Sequence, residues 1–170
     1  DDQIPYYRQL NLSLENPLKV FTFGTGSMCE LGYGPLAKNK EIKRPRLNMY
    51  LQDIKISSIV AGGMHSLALT YDNEIYSWGT NDMAVLGRDT VTNAKVSLKE
   101  ADAPAESDDD DDGDLNDLES TPAKVENLPK QNGNIVQVGA TDNLSIVLYE
   151  NGDVYAWGTF RNNEGILGFY

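Results

Sequence analysis

The chain has 170 residues, 40% of them hydrophobic, a formal net charge of -12, one histidine (His65) and one cysteine (Cys29). That inventory excludes an ordinary His/Cys metal centre and an intrachain disulfide, and it leaves acid-base or nucleophilic catalysis a single imidazole. Eleven acidic residues lie between Glu100 and Glu119, where there is no Lys or Arg; taking them from -12 leaves -1, so the acidity belongs to one segment and not to the surface at large.

After an N-terminal extension over residues 1–17, alternating apolar and aromatic residues predict a strand at Lys19–Phe23, broken at Gly24-Thr25. The segment VFTFGTGSMCELG, from Val20, has the first two glycines of a dinucleotide fingerprint but Cys29 where the third belongs. No P-loop Gly-Lys-Ser/Thr occurs either, so neither a nucleotide site nor a bound cofactor is expected in this chain. The basic cluster Lys38–Arg46 reads as a solvated loop with Pro45 as its breaker, and only weakly as a nucleic-acid or import signal.

Strands are predicted next at Lys55–Val60, Ser66–Thr70 and Ile75–Trp78, the last opening IYSWGTNDMAVLG, a second copy of the first motif. Residues 100–119 hold too little apolar surface to offset the entropy of ordering, and predict a disordered insertion. Strands at Ile135–Val138, Ser145–Tyr149 and Val154–Trp157 follow, with Asn151-Gly152 as a hairpin turn. The last strand opens VYAWGTFRNNEGILG, the third copy. Aligned on Gly79 and Gly158 without a gap, the second and third repeats place Leu69 on Leu148 and His65 on Leu144.

Repetition at this scale predicts an all-β fold with one antiparallel sheet per repeat, each packed on its neighbours. Such sheets need closure or capping, so a further segment carrying more of them is expected. Trp78 and Trp157 stand at equivalent strand positions and are assigned to packing between sheets. Additions to a repeat mark where function is attached. In the first two copies the second glycine follows the first by eight positions, Gly24 to Gly32 and Gly79 to Gly87, and in the third by ten, Gly158 to Gly168. The extra two fall within TFRNNEGI.

AGGMHSLAL (Ala61–Leu69), WGTNDMAVLGRDT (Trp78–Thr90) and YAWGTFRNNEGILGFY (Tyr155–Tyr170) resemble the repeats of the regulator of chromosome condensation family. The resemblance runs from Leu18 onward, outside Glu100–Glu119. It implies a seven-bladed β-propeller, of which residues 18–170 supply the first two to three blades. It also implies guanine nucleotide exchange on the small GTPase Ran, without covalent chemistry, in the nucleus, with chromatin or histones as further partners of the complete protein. The family pushes a β-wedge into the GTPase beside the nucleotide, and the wedge matches Phe160, Arg161, Asn162, Asn163, Glu164, Gly165 and Ile166. Phe160 would give apolar contact, Arg161 a planar donor, and Asn162 and Asn163 amide hydrogen bonds. Gly165 would give the freedom for a projecting turn, while Glu164 has no assigned role.

Other positions resembling the family's GTPase-binding face are Met64 and His65, Asp142 and Asn143, and Asn81 and Asp82. A histidine bonded to the neighbouring blade is an equally good reading of His65. No metal site is expected. No apolar segment approaches transmembrane length and no signal peptide is visible, so no membrane partner is expected, and the single cysteine fits cytosol or nucleus. The alternative to exchange is a non-catalytic interaction platform for chromatin, signalling or ubiquitin ligation. Such a platform has no reason to keep the TFRNNEGI expansion.

Overall fold

The computed structural model describes residues 16–91, 113–162 and 165–167. Its strands are β1 (Phe21–Thr25), β2 (Glu41–Leu47), β3 (Ile56–Ala61), β4 (His65–Thr70), β5 (Ile75–Gly79) and β6 (Ala123–Lys124). They continue as β7 (Ile135–Ala140), β8 (Leu144–Tyr149), β9 (Val154–Gly158), β10 (Phe160–Asn162) and β11 (Gly165–Leu167). All pairing is antiparallel: β3-β4-β5-β6 form one sheet, β7-β8-β9 the next, and β1-β2 and β10-β11 are two-stranded. The seven strands expected from alternation are all present, with bounds shifted by one or two residues.

One expectation about the strands is overturned. The basic cluster is not a loop, because Glu41–Leu47 pairs with β1. Its register slips between Thr22↔Arg46 and Gly24↔Ile42, so Pro45 sits at the irregularity, where a missing N–H breaks no ladder bond. Ile42 turns inward onto Leu31 and Tyr33, and Arg46 lies 4.1 Å over the Tyr33 ring. The exposed Lys43 and Arg44 and the proline blunt an edge strand.

Packing between sheets explains the glycines that close each motif. Trp78 donates from Nε1 to Glu30 O (3.0 Å), and its ring fills the space over Gly32, where a Cβ would stand 2.8 Å from the indole. One repeat later Trp157 donates to Val85 O (2.8 Å) over Gly87, where a Cβ would stand 2.7 Å from Nε1. Both indoles therefore pack on the preceding repeat, as their equivalent positions imply. Two apolar clusters complete the junctions: Val20, Leu51, Ile56, Ala68 and Trp78, then Leu67, Ile75, Ile135, Val147 and Tyr149. Phe21 and Phe23 on β1 and Val154 on β9 are left 54, 61 and 61% exposed, on strands that pair on one side only among the described residues.

The acidic segment divides. Residues 92–112 lie outside the described residues. Residues 113–119 are held, contrary to the expected disorder over 100–119: Asp117–Ser120 is a helical turn capped by Asn116, which accepts from Leu118 N (3.0 Å). Asp114 Oδ1 accepts from Ala37 N (3.0 Å), and Leu115 N donates to Pro35 O (2.7 Å). Arg88 does most of the holding. Only 9% exposed, it donates to Ser77 Oγ and O on β5, and to Leu118 O (2.6 Å) and Thr121 O (3.2 Å). These carbonyls satisfy a cation whose burial alone would be costly.

Gly87→Ala should destabilise the full-length protein by about 1–3 kcal/mol, since the new methyl meets an immobile indole at a left-handed residue (φ +64); chemical denaturation measures it. Two deletions test the divided insert. Removing Asp102–Asp112 should leave the melting temperature within about 2 °C of the parent, whereas removing Asp102–Glu119 should lower it clearly, because Arg88 then loses its carbonyl at Leu118.

Candidate functional site

At one end of the sheets the inner-strand turns and the loops after the third strands meet. Gly62–Met64 joins β3 to β4, and residues 141–143 join β7 to β8. Thr80, just after β5, donates its N–H to Met64 O (3.0 Å), and Thr159, just after β9, donates to Asn143 O (2.7 Å). The two turns also touch, through Gly63 N to Thr141 O (3.3 Å). Gly63 makes room for the next blade, since a Cβ there would stand 2.7 Å from Asp142 Oδ1. Asp142 and Met64 are thereby held side by side and exposed.

From this end, in the third repeat only, a hairpin departs. β10 pairs with β11 in the register Phe160↔Leu167, Arg161↔Ile166, Asn162↔Gly165. Gly79 and Gly158, the positive-φ glycines that end β5 and β9, let the chain pass within contact of the Met64 and Asn143 carbonyls, 2.3 Å from where a Cβ would lie. After Gly79 the chain folds into a compact turn of 3-10 character at Asp82–Ala84. After Gly158 the two additional residues allow paired strands instead. Phe160 is exposed, and Gly165 has φ +130, open to glycine and poorly accessible to other residues. Asn163 and Glu164 lie outside the described residues.

Not every expected residue faces outward. His65 is 2% exposed, and its Nε2 meets Ser145 Oγ at 2.9 Å across the junction of the two sheets. Ser145 Oγ commits its hydrogen to Val85 O (2.8 Å), so it accepts from His65, which fixes the Nε2–H tautomer. His65 is corrected from a contact residue to a brace, because the packing of β4 on β8 leaves its ring no path to solvent. Asn81 is half-buried and committed to its own loop: its amide donates to Arg88 O (3.2 Å) and Thr90 Oγ1 (2.8 Å), and Oδ1 accepts from Leu86 N (2.9 Å). Asp82 and Asn143 are half-buried, and Leu144 is buried. Burial, then the charge of Glu119, pushes the Cys29 thiol up to about 11, so it is not a thiolate near neutrality. No group of three or more metal-capable side chains occurs among the described residues.

Residues 19–69, 56–83 and 135–166 match the regulator of chromosome condensation (RCC1) repeat. The chain belongs to the RCC1 family. It is 59% identical to the guanine nucleotide exchange factor SRM1 of Saccharomyces cerevisiae over 96% of this chain and 35% of that protein, and 58% identical to protein RCC1 of Candida albicans over 98% and 37%. Among solved structures it is similar to yeast RCC1 (Prp20) bound to Kap60, with a TM-score of 0.80 at 48% identity over 98% of this chain and 34% of that one. The structure of Prp20p from Saccharomyces cerevisiae, described with its binding properties to Gsp1p and histones, gives 0.74 at the same identity. The sheets are therefore blades of an RCC1-type β-propeller, of which this chain supplies a partial set, about a third of its relatives' length.

The physical signals missed in the sequence were the seating of indole on glycine and the buried Arg88. Gly-Arg at 87–88 could have marked both, a glycine for close approach followed by a base in a segment poor in exposed positions.

Burial lowers the His65 pKa. A histidine depressed in the folded state binds fewer protons there than unfolded, so its contribution is complete above about pH 6.5 and is lost as pH falls below that value, by up to about 1.4 kcal/mol per pH unit. His65→Gln, which can still donate to Ser145, should flatten this part of the stability profile between pH 7 and 5; melting curves of parent and variant across that range check it.

Proposed function

We propose that the protein to which this chain contributes is a nuclear guanine nucleotide exchange factor for the small GTPase Ran. The observation that carries the reading is the hairpin Phe160–Leu167, a projecting element in one repeat where the preceding repeat has a compact turn. Support comes from the name of the yeast relative, an exchange factor, and from the solved relative's described binding to Gsp1p and histones. Kap60, bound in the other solved relative, fits a protein carried into the nucleus.

The mechanism is binding linkage. A factor that binds the nucleotide-free GTPase more tightly than the loaded one weakens nucleotide affinity by the same factor. In this reading the hairpin is the wedge. Phe160, Arg161, Asn162, Asn163, Gly165 and Ile166 engage the GTPase beside its nucleotide, and Asp142 and Met64 contact it from the adjoining turns. Glu164 needs no role. Histone or chromatin contact belongs to the complete protein, and nucleotide chemistry stays on the GTPase.

Release of labelled GDP from Ran, driven by the full-length protein, tests this. Arg161→Ala should slow release about tenfold to hundredfold, the loss of a charge-assisted bond of roughly 1.5–3 kcal/mol made in the exchange complex, and Asn163→Ala should slow it as well. Melting should not change, since an exposed hairpin adds little to the core. Unchanged release by both variants in normally melting protein would remove the hairpin from the mechanism and favour an interaction platform.

A further inference from the structure

The end of the propeller that carries the hairpin also exposes three methionines that no expectation from the sequence joined. Met28, Met64 and Met83 are 49, 39 and 45% exposed. Thr80 ties the first two together, its Oγ1 donating to Met28 O (2.8 Å) and its N–H to Met64 O (3.0 Å). Met83 follows three residues later in the same turn. The repeat relates them to the hairpin: Met28 is the fourth residue after Gly24, Met83 the fourth after Gly79, and Asn162, in β10, the fourth after Gly158. The same backbone position is thus an exposed thioether in two repeats and part of the projecting hairpin in the third. Left-handed backbone recurs here without glycine, at Cys29 (φ 70), Met83 (φ 53) and Ala84 (φ 61). Such residues cost about 1 kcal/mol or more and persist where the surroundings fix the turn.

The loops that carry the row are acidic, with Lys40 beside the first of them, its backbone O accepting from Gly26 N (2.7 Å). Residues 24–30, 61–65, 79–84 and 140–144 contain Glu30, Asp82 and Asp142 and no Lys or Arg. An apolar, polarizable row in an acidic surround fits a partner surface that is apolar with a basic rim.

We infer that Met28, Met64 and Met83 form a thioether row that docks an apolar, basic-rimmed surface of the same GTPase whose nucleotide site the hairpin opens. This rests on the exchange reading, and it assigns Met28 and Met83, on the blades before the hairpin, a part in setting affinity. The hairpin acts on the nucleotide-free state, whereas the row holds the partner in every nucleotide state. The two therefore separate kinetically.

The test uses the full-length protein and compares M28Q/M64Q/M83Q with Met49→Gln. Met49 is 60% exposed and follows β2 at the opposite end of the sheets, where Asn48 N bonds Val20 O. The triple variant should raise KM for Ran about tenfold or more with kcat within about twofold, while Met49→Gln matches the parent. A triple variant with parental KM overturns the row and leaves the hairpin standing. A parent that releases no GDP from Ran overturns the exchange reading and the row with it. If the triple variant melts abnormally, peroxide footprinting of the parent decides. Nucleotide-free Ran should slow sulfoxide formation at Met28, Met64 and Met83 but not at Met49. Protection by core histones or by self-association in place of Ran overturns the proposal.

Discussion

The structure depends on a tryptophan seated on a glycine of the preceding repeat. Trp78 occupies the space that a Gly32 side chain would fill, and Trp157 does the same over Gly87, each sealing the contact with a hydrogen bond to a backbone carbonyl beside it. The second carbonyl, Val85 O, also accepts from Ser145, which in turn accepts from His65. One backbone oxygen thus joins three side chains across a junction. A neutral histidine suits this position better than a cation, because burial penalises the charged form and the hydroxyl needs only one N–H. The sheets are consequently set against one another by directional bonds as well as by apolar area.

That rigidity decides what the repeat can tolerate. The second repeat takes its addition in the long stretch between β5 and β6, and Arg88 draws the returning strand end back onto β5 through Leu118 and Thr121. The third takes two residues at the tip, where Gly158 has already turned the chain outward, and forms its own short ladder. The two additions differ in what secures them. A ladder satisfies its own backbone groups, whereas a long insertion must be closed at its base by the parent fold, and a guanidinium with several donors can close it at one point.

Strands and repeat boundaries were legible because alternation and Gly-Thr breaks are local, and the hairpin was legible as a count of residues between paired glycines. The orientation of individual polar residues was not. His65 and Asp142 stand two positions apart when the repeats are aligned, yet one is buried against Ser145 and the other is exposed beside Gly63. Which of them faces solvent depends on how two sheets meet, and no window of sequence contains that. The strand at Glu41–Leu47 was hidden for a different reason: a proline among closely spaced basic residues reads as a loop, and only the partner strand shows that the proline falls at a slip in register. The repeated Leu-Gly was visible, but its cause, an indole seated on the glycine, lies in the following repeat.

An exchange factor that works by linkage needs a stiff support more than a reactive group. In the exchange reading, load on the hairpin would return to the blade through Thr159 N to Asn143 O and the pairing of Leu144 with Gly158. From there it passes through Trp157 and Ser145 to the carbonyl of Val85 in the blade before. In the exchange reading, binding energy gained across a broad acidic and apolar face can be used at a narrow element only if the path between them does not yield. Trp157, seated on Gly87, is the indole on that path, and Trp78 on Gly32 braces the junction before it. Each stands directly before the glycine at which its loop begins, so the loop leaves the sheet from a braced position.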